Sequence, residues 1–202
     1  MEKIVIPRAE FLCSAGTAAE FPETGRREIC IMGRSNVGKS SFINHALADG
    51  SLAFVSKKPG KTVCANFFRL SDGVYWVDMP GYGFAQRSRP EMRRISGLIG
   101  GYCERRPQFA GIIWLLDSRH PGAAADLELF DWITGLGKPI LPVLTKCDKL
   151  SRARLAEQLR QFAALLRFDS PYVPFSVQGE KFRDDFWRAY MKWLSAAAGS
   201  DA

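Results

Sequence analysis

Residues 33–40 read Gly-Arg-Ser-Asn-Val-Gly-Lys-Ser, in which two glycines, a lysine and a serine follow the spacing G-x-x-x-x-G-K-S. Glycines let a backbone wrap a polyphosphate with its N–H groups. Lys39 would place a cation against the β- and γ-phosphates, and Ser40 would offer its hydroxyl to Mg²⁺. The spacing therefore predicts a phosphate-binding loop made of Gly33, Arg34, Ser35, Asn36, Val37, Gly38, Lys39 and Ser40.

The segments around this loop are typical of a strand and a helix, and the same alternation continues along the chain. Strand-like runs lie at 28–33, 65–70, 74–78, 110–117, 139–145 and 171–175, and helix-like runs lie at 39–48, 91–104, 123–136, 151–167 and 180–198. This alternation predicts one α/β domain, a mostly parallel six-stranded sheet with helices on both faces. Ligands of such sheets bind beyond the carboxyl ends of the strands. We expect the domain to cover 28–198, after an N-terminal extension at 1–27 and before a frayed tail at 199–202.

The composition fits a globular protein without a membrane span. Of the 202 residues, 47% are apolar and 24% are charged, which is ordinary for a soluble domain. The longest strongly apolar run, 110–116, is too short to cross a bilayer, and the first residues lack the apolar core of a signal peptide. The five cysteines are scattered, which favours reduced thiols. We expect a cytoplasmic monomer with no membrane insertion.

A basic excess gives the chain a net charge of +7 and a pI near 9.3. Such an excess favours polyanionic partners, RNA or an anionic membrane surface. The alternative is a solvated basic face together with charges that serve the nucleotide itself. The net charge alone does not choose between these partners.

The sequence Asp78-Met79-Pro80-Gly81 follows a predicted strand. An acidic residue at a strand end near the phosphate loop suits contact with Mg²⁺ through water. The Pro-Gly pair ends the strand and frees the chain to respond to a γ-phosphate. An aspartate at an ordinary strand-to-turn junction is the alternative interpretation.

A second such junction, Thr145-Lys146-Cys147-Asp148, follows the apolar run 140–144. The Asp148 carboxylate can accept two hydrogen bonds, from N1–H and from the exocyclic amine of guanine, whereas adenine offers neither and would be rejected. The stem of Lys146 can lie along the base plane. The alternative is that Asp148 only caps the next helix.

Between the phosphate loop and Asp78 lies a segment with three lysines and a Pro-Gly pair, at 57–62. The hydroxyl of Thr62 could reach Mg²⁺ and its N–H the γ-phosphate, in a loop that orders with a triphosphate and is released after hydrolysis. The alternative is a basic surface loop. The nucleotide-binding residues predicted here are Gly60, Lys61, Thr62, Val63 and Cys64.

In this order, the motifs GRSNVGKSS, PGKT, DMPGYG and TKCD resemble those of the EngB family of small bacterial GTP-binding proteins, over roughly residues 5–195. The resemblance implies binding of GTP or GDP with Mg²⁺, and slow GTP hydrolysis. It also implies a role in assembly of the large ribosomal subunit, and a need for the protein in normal cell division and septation.

The resemblance also implies roles for single residues. Ser40 and Thr62 would ligate Mg²⁺, while Asp78 and Gly81 would sense the γ-phosphate side. Thr145, Lys146, Cys147 and Asp148 would hold the guanine. A further family loop maps onto Phe175, Ser176 and Val177, where Val177 replaces the usual second serine, so only backbone contacts carry over.

Three positions depart from better-known GTPases. Tyr82 stands where many signalling GTPases place a glutamine that orients the attacking water, which predicts slow turnover. Asn36 lies inside the phosphate loop, where an asparagine can help to hold K⁺; the alternative is that it only stabilises the loop. Thr145 stands where many GTPases use asparagine, which predicts modest affinity. The predicted catalytic residues are Lys39, Thr62 and Asn36.

Arg87, Arg89, Arg93 and Arg94 follow the 78–83 loop directly, so a basic surface would be coupled to the nucleotide state. One interpretation is a switch that faces ribosomal RNA, and the other is a solvated start of a helix. The aromatic residues of the last predicted helix favour a core stripe over base stacking. That helix also carries Lys181, Arg183, Arg188 and Lys192.

Three classes of function remain open at this point. The first is a GTP-driven switch acting on a ribosomal precursor. The second is a nucleotide-gated regulator of division acting through protein partners without RNA. The third is a P-loop kinase or ATPase, against which the Thr-Lys-x-Asp sequence argues.

Overall fold

The computed structural model describes residues 4–53, 63–83, 88–168 and 170–199. Its strands are β1 (Ala9–Ala15), β2 (Glu28–Gly33), β3 (Ala65–Leu70), β4 (Tyr75–Asp78), β5 (Phe109–Asp117), β6 (Ile140–Thr145) and β7 (Val173–Pro174). Its helices are α1 (Lys39–Ala46), α2 (Arg89–Arg105), α3 (Ala124–Gly135), α4 (Arg152–Leu165) and α5 (Glu180–Gly199).

Within this part of the chain one sheet has the strand order β1-β3-β4-β2-β5-β6-β7. Five adjacent strands are parallel to one another, namely β4, β2, β5, β6 and β7. Strand β3 pairs antiparallel with β4, and β1 pairs antiparallel with β3. The predicted mostly parallel α/β fold is confirmed. The carboxyl ends of β2, β4, β5 and β6 lie at one edge of the sheet, where the loops that follow them meet.

The predicted number of six strands is wrong, because the N-terminal segment contributes β1 to the sheet. Most of β1 is exposed and a register shift separates Phe11 from Cys13. An edge strand with this exposure lacks the regular alternation of apolar and polar residues that marks a half-buried strand. The segment predicted as an extension therefore forms the edge of the sheet, beside β3.

Two apolar layers cover the two faces of the sheet. One layer packs α2, α3 and α4 against it around Tyr102, Trp114 and Phe162. The other layer packs α1 and α5 around Trp76 and Trp187, whose rings stack with centroids 5.6 Å apart. The core stripe predicted for α5 comprises Phe182, Phe186, Tyr190 and Trp193/Leu194. Phe186, Tyr190 and Trp193 are buried in this second layer and Leu194 packs against it, which confirms that part of the stripe, whereas Phe182 is half-buried against the first layer.

Candidate functional site

The predicted phosphate loop joins the end of β2 to the start of α1. Asn36 and Gly38 adopt left-handed backbone conformations, with φ of 63° and 105°, which turn successive N–H groups toward one concave side. Gly38 occupies the position before the first turn of α1 and has no side chain to cap it. The first N–H groups of α1 therefore face the loop, as a bound phosphate requires.

Glycine at position 33 is required by the close approach of strand β5. A Cβ atom there would lie 3.0 Å from the carbonyl oxygen of Leu115 and 2.7 Å from Cγ1 of Val37. The backbone at the start of the loop is thus packed directly against the sheet. This packing fixes the loop relative to the ends of the neighbouring strands.

The loop after β4 is fastened to the phosphate loop by backbone contacts. The Ser35 N–H donates to the Tyr82 carbonyl at 2.9 Å, and the Ser35 hydroxyl donates to the Gly81 carbonyl at 3.3 Å. A Cβ on Gly81 would lie 2.9 Å from the Ser35 nitrogen. The predicted positions Met79, Pro80 and Gly81 therefore run alongside the phosphate loop, and glycine permits that approach.

Asp78 is the last residue of β4 and is 8% exposed. Burial raises the pKa of its carboxyl, and Lys39 and the Asn66 amide counter that shift only in part. Among the described residues, its Oδ1 has no hydrogen-bond partner. Asp78 and Ser40 line one pocket of about 270 Å³. A hydroxyl and a carboxylate are the hard oxygen donors that Mg²⁺ prefers, so the residues present fit this ion.

A second pocket, of about 250 Å³, lies on the other side of the phosphate loop. Its lining includes Val37, Phe42, Thr145, Lys146, Asp148, Phe175 and Val177. Phe42 and Phe175 pack edge to face at the pocket, with ring centroids 4.7 Å apart. An apolar floor with a carboxylate at its rim suits a planar base that carries N–H donors.

The Asp148 carboxylate accepts a hydrogen bond from the Ser176 hydroxyl at 2.8 Å and lies 3.1 Å from the Lys149 ammonium. Burial alone would raise the pKa of this carboxyl, but the contacts with Ser176 and Lys149 outweigh it and lower the pKa. Asp148 is therefore an ionised acceptor at neutral pH, as recognition of guanine requires.

The side chain of Ser176 has a role that the sequence motif did not predict. Sequence reasoning carried over only backbone contacts for 175–177, yet the Ser176 side chain is 1% exposed and holds Asp148. The backbone also contributes, since the Cys147 N–H donates to the Phe175 carbonyl at 3.2 Å. Val177 is 49% exposed and lines the pocket.

Thr145 ties the base pocket to the phosphate loop. Its hydroxyl lies 2.9 Å from the Val37 carbonyl and 3.1 Å from the Leu116 carbonyl. A single hydroxyl proton serves both acceptors, whereas an asparagine amide would bring two protons and a carbonyl. Thr145 thus still connects the base pocket to the phosphate loop, but with fewer hydrogen bonds than an asparagine could make there.

Lys146 is held in place by a carboxylate that sequence reasoning missed. Its ammonium donates to the Asn36 carbonyl at 2.7 Å and to Asp117 at 2.9 Å. Arg119 makes two further side-chain hydrogen bonds to Asp117. Partial burial would raise the pKa of the Asp117 carboxyl, but the hydrogen bonds from Arg119 and Lys146 hold it below its ordinary value.

A signal for Asp117 was present in the sequence. It is the last residue of β5, and it is in register with Thr145 at the end of β6. Polar residues at the carboxyl ends of adjacent parallel strands meet at the ligand edge of the sheet. The same rule that located Asp78 and Thr145 would have located Asp117.

Tyr82 is directed into the protein rather than left free beside the phosphate loop. Its hydroxyl donates to Asp126 of α3 at 2.9 Å and accepts from the Trp114 indole of β5 at 2.6 Å. Burial, together with the charge of Asp126, raises the pKa of this hydroxyl. Arg34 of the phosphate loop forms an ion pair with the same carboxylate at 2.9 Å.

Several predicted residues lie outside the described part of the chain. Among the nucleotide-binding and metal-binding candidates, these are Gly60, Lys61 and Thr62, and among the arginines it is Arg87. Of the two neighbours that the structure describes, Val63 is buried in the apolar layer and Cys64 is half-buried. A role for Val63 in binding would therefore use its backbone.

The basic side chains differ in how they are engaged. Arg89, Arg93 and Arg94 are exposed on the first turns of α2, which begins after Ser88. On α5, by contrast, Arg183 and Arg188 form ion pairs with Glu180 and Asp185. Within the described ranges, the basic residues that follow the 78–83 loop in sequence are thus the exposed arginines of α2.

In the described ranges, no helix combines the length and apolar character needed to cross a membrane.

Comparison with protein families places the chain among GTPases. The family model described as "50S ribosome-binding GTPase" matches residues 28–146. A probable GTP-binding protein EngB from Chlorobaculum tepidum is 43% identical over 177 residues, which cover 86% of this chain and 92% of the relative. A probable EngB from Leuconostoc citreum is 35% identical over 194 residues, with coverage of 95% and 98%.

Solved structures show the same fold. A crystal structure of a probable GTP-binding protein engB superposes with a TM-score of 0.69 at 20% identity, covering 84% of this chain and 99% of that one. Aquifex aeolicus Era with GDP.AlF4- superposes with a TM-score of 0.64 at 20% identity, covering 82% of this chain and 56% of that one. At these identities the likeness concerns the fold.

Proposed function

The chain belongs to the EngB family of GTP-binding proteins, and we propose that it is a Mg²⁺-dependent switch that hydrolyses GTP slowly during assembly of the large ribosomal subunit. The observation that carries the proposal is the continuity of the site. The phosphate loop contacts the Asp78 loop through Ser35 and contacts the base pocket through Thr145 and Lys146. Base identity and phosphate state are therefore read by one connected structure.

Guanine selection rests on Asp148. The ionised carboxylate accepts from both N–H groups on the Watson–Crick edge of guanine, and adenine would leave it desolvated without a donor. Ser176 fixes the carboxylate, and Lys146 is fixed by Asp117 so that its stem flanks the base. These contacts support GTP over ATP and disfavour the kinase or ATPase alternative.

Ser40 and Thr62 would hold Mg²⁺, with Asp78 contacting its hydration shell. When bound, the ion would neutralise charge on the β- and γ-phosphates. Lys39 supplies a second positive charge at the same phosphates and lies near enough to Asp78 to offset part of the rise that burial causes in its pKa. Gly60, Lys61 and Thr62 are proposed as the segment that orders around the γ-phosphate.

Slow turnover follows from the environment of Tyr82. Its hydroxyl already serves Asp126 and Trp114, and a phenol offers no amide to orient an attacking water. We assign the missing stabilisation to K⁺ held beside the phosphates by Asn36. Asn36 is exposed on the phosphate loop, and asparagine tolerates the left-handed conformation observed there. Equal hydrolysis rates in K⁺ and Na⁺ buffers would refute this assignment.

The proposed partner is ribosomal RNA in a large-subunit precursor, in the cytoplasm. The exposed Arg89, Arg93 and Arg94 follow the loop that would respond to the γ-phosphate, and the chain carries a net charge of +7. Phosphate neutralisation by arginines favours RNA. The alternative is a GTP-gated regulator of division that acts through proteins without RNA; a role in division and septation is compatible with either.

Co-sedimentation with purified large ribosomal subunits tests the proposal. We expect binding in the presence of a non-hydrolysable GTP analogue to exceed binding with GDP, and to weaken steeply as salt is raised. Replacing Arg93 and Arg94 by alanine should weaken binding, while replacing Lys181 and Lys192 on α5 provides a charge-matched control. Binding that depends neither on the nucleotide nor on the salt concentration would favour the alternative, a regulator of division that acts through proteins without RNA.

A further inference from the structure

Three residues on adjacent strands align across the sheet and end at the proposed metal site. Ser14 of β1 is in register with Asn66 of β3, and Asn66 is in register with Asp78 of β4. Side chains of directly opposed residues in a sheet project from the same face. The edge strand therefore has a side-chain route to the carboxylate beside the phosphate loop.

The hydrogen bond between Ser14 and Asn66 has a defined direction. The Ser14 hydroxyl donates to the Asn66 carbonyl oxygen Oδ1 at 2.6 Å. With its oxygen occupied by Ser14, the Asn66 amide has its N–H donors left for Asp78, the residue opposite it on β4, and it counters part of the rise that burial causes in the pKa of that carboxyl. Ser14 thus sets the orientation of the amide and leaves its N–H donors available to the carboxylate across the sheet.

The far end of the row is a buried acceptor that lacks a protein donor. Within the described ranges, Asp78 Oδ1 has no hydrogen-bond partner although the residue is 8% exposed. A buried carboxylate oxygen without a donor is costly, because it gives up its hydrogen bonds to water. All three residues line the pocket of about 270 Å³ together with Ser40. The open oxygen therefore belongs to the pocket in which the metal would sit.

We propose that Ser14 and Asn66 are positioning residues that orient Asp78 toward the hydrated Mg²⁺ of the nucleotide complex. The proposal rests on the proposed function, since it assumes that nucleotide binds with Mg²⁺ at Ser40 and Asp78. It assigns to the N-terminal strand a part in metal and phosphate binding. Partners that orient a metal contact in this way typically change metal affinity about 10- to 100-fold when they are removed.

A purely structural role makes a different prediction. If the Ser14–Asn66 pair only fastened β1 to β3, its loss would lower stability and leave the response to Mg²⁺ unchanged. The informative quantity is therefore the Mg²⁺ concentration at which the affinity for a non-hydrolysable GTP analogue is half-enhanced. Affinity measured in EDTA reports nucleotide binding without the metal.

The variants are Asn66→Ala, Ser14→Ala and the conservative Ser14→Thr, which keeps the hydroxyl. We expect Asn66→Ala to raise the half-effect Mg²⁺ concentration about tenfold and Ser14→Ala to raise it less, with the EDTA affinity unchanged. Ser14→Thr should restore the wild-type value. The double variant Ser14→Ala/Asn66→Ala should match Asn66→Ala alone, because both act through one contact.

Glu10→Ala is the matched control. The exposed ion pair between Glu10 and Arg69 joins the same two strands at 2.6 Å and does not reach Asp78. This variant should leave the Mg²⁺ response unchanged. If Asn66→Ala does not fold, the comparison of Ser14→Ala with Ser14→Thr decides the question.

The outcomes separate this inference from the function on which it rests. A wild-type protein whose nucleotide affinity ignores Mg²⁺ would overturn the proposed function and this inference with it. If the nucleotide affinity of wild type depends on Mg²⁺, and Asn66→Ala and Ser14→Ala show the same Mg²⁺ dependence as wild type, this inference alone would be overturned. A Ser14→Thr variant that fails to restore the response would also overturn it.

Discussion

The hydroxyl of Tyr82 donates a hydrogen bond of 2.9 Å to the buried Asp126 carboxylate. This contact joins the loop after β4 to α3, and Arg34 joins the phosphate loop to the same carboxylate. The residue at the position of a signalling-GTPase glutamine is thus part of the scaffold. The phosphate loop and the loop after β4 therefore share one anchor, Asp126 of α3, which is 1% exposed.

Replacing Tyr82 by phenylalanine should lower the free energy of unfolding by about 1–3 kcal/mol. The substitution removes the donor to Asp126 and the acceptor of the Trp114 N–H, and both partners are buried. Urea denaturation of the nucleotide-free protein measures the change. A variant as stable as wild type would show that these hydrogen bonds are replaced by other partners.

Replacing Tyr82 by glutamine should not produce a faster GTPase. The side chain at this position points to α3 and β5, so an amide there would take over the contact with Asp126 rather than orient water. Single-turnover hydrolysis at saturating GTP compares the two proteins. A tenfold gain in rate for the variant would show that the position faces the γ-phosphate during hydrolysis.

The sequence predicts those parts of the site in which neighbouring residues share one chemical task. Lys39 and Ser40 begin a helix after a glycine-rich loop, and Asp148 follows a buried strand by a few positions. In each case the backbone geometry is set locally, by a turn at a strand end. The strand–helix alternation likewise predicted the parallel part of the sheet, because each buried strand is a short apolar run.

Residues whose roles depend on pairing between distant segments could not be predicted in this way. Ser14 matters because β1 is in one register with β3, and a one-residue shift would turn its side chain to the other face. Asp126 matters because α3 brings it to Tyr82. Neither relationship leaves a local pattern, and an exposed edge strand carries little periodicity.

Asp148→Asn should weaken GDP binding about 10- to 100-fold and should improve binding of xanthosine diphosphate. The amide offers one donor where guanine needs acceptors, and xanthine presents a carbonyl at the position of the guanine amine. Isothermal titration with both nucleotides measures the change. Unchanged affinity for GDP would contradict the assignment of this residue to the base.

Gly81→Ala should reduce affinity for the GTP analogue more than affinity for GDP. A methyl group at position 81 would lie 2.9 Å from the backbone nitrogen of Ser35, which cannot move away without distorting the phosphate loop. Gly50→Ala is a matched control, because a Cβ there meets nothing within 4 Å. Equal affinities of wild type and Gly81→Ala for both nucleotides would show that the two loops separate freely.

Asp117→Asn should destabilise the nucleotide-free protein at neutral pH, and the difference from wild type should shrink in acid. Hydrogen bonds from Arg119 and Lys146 outweigh partial burial and hold the pKa of the folded carboxyl below its unfolded value of about 3.9. A depressed folded pKa gives stability that is fully present above the unfolded pKa and is lost as the pH falls through the folded pKa. Chemical denaturation of both proteins between pH 7 and pH 3 measures this difference. The gap should begin to close as the pH falls below about 3.9, the unfolded pKa. A gap that stays constant down to pH 3, or one that already closes between pH 7 and pH 5, would contradict the prediction.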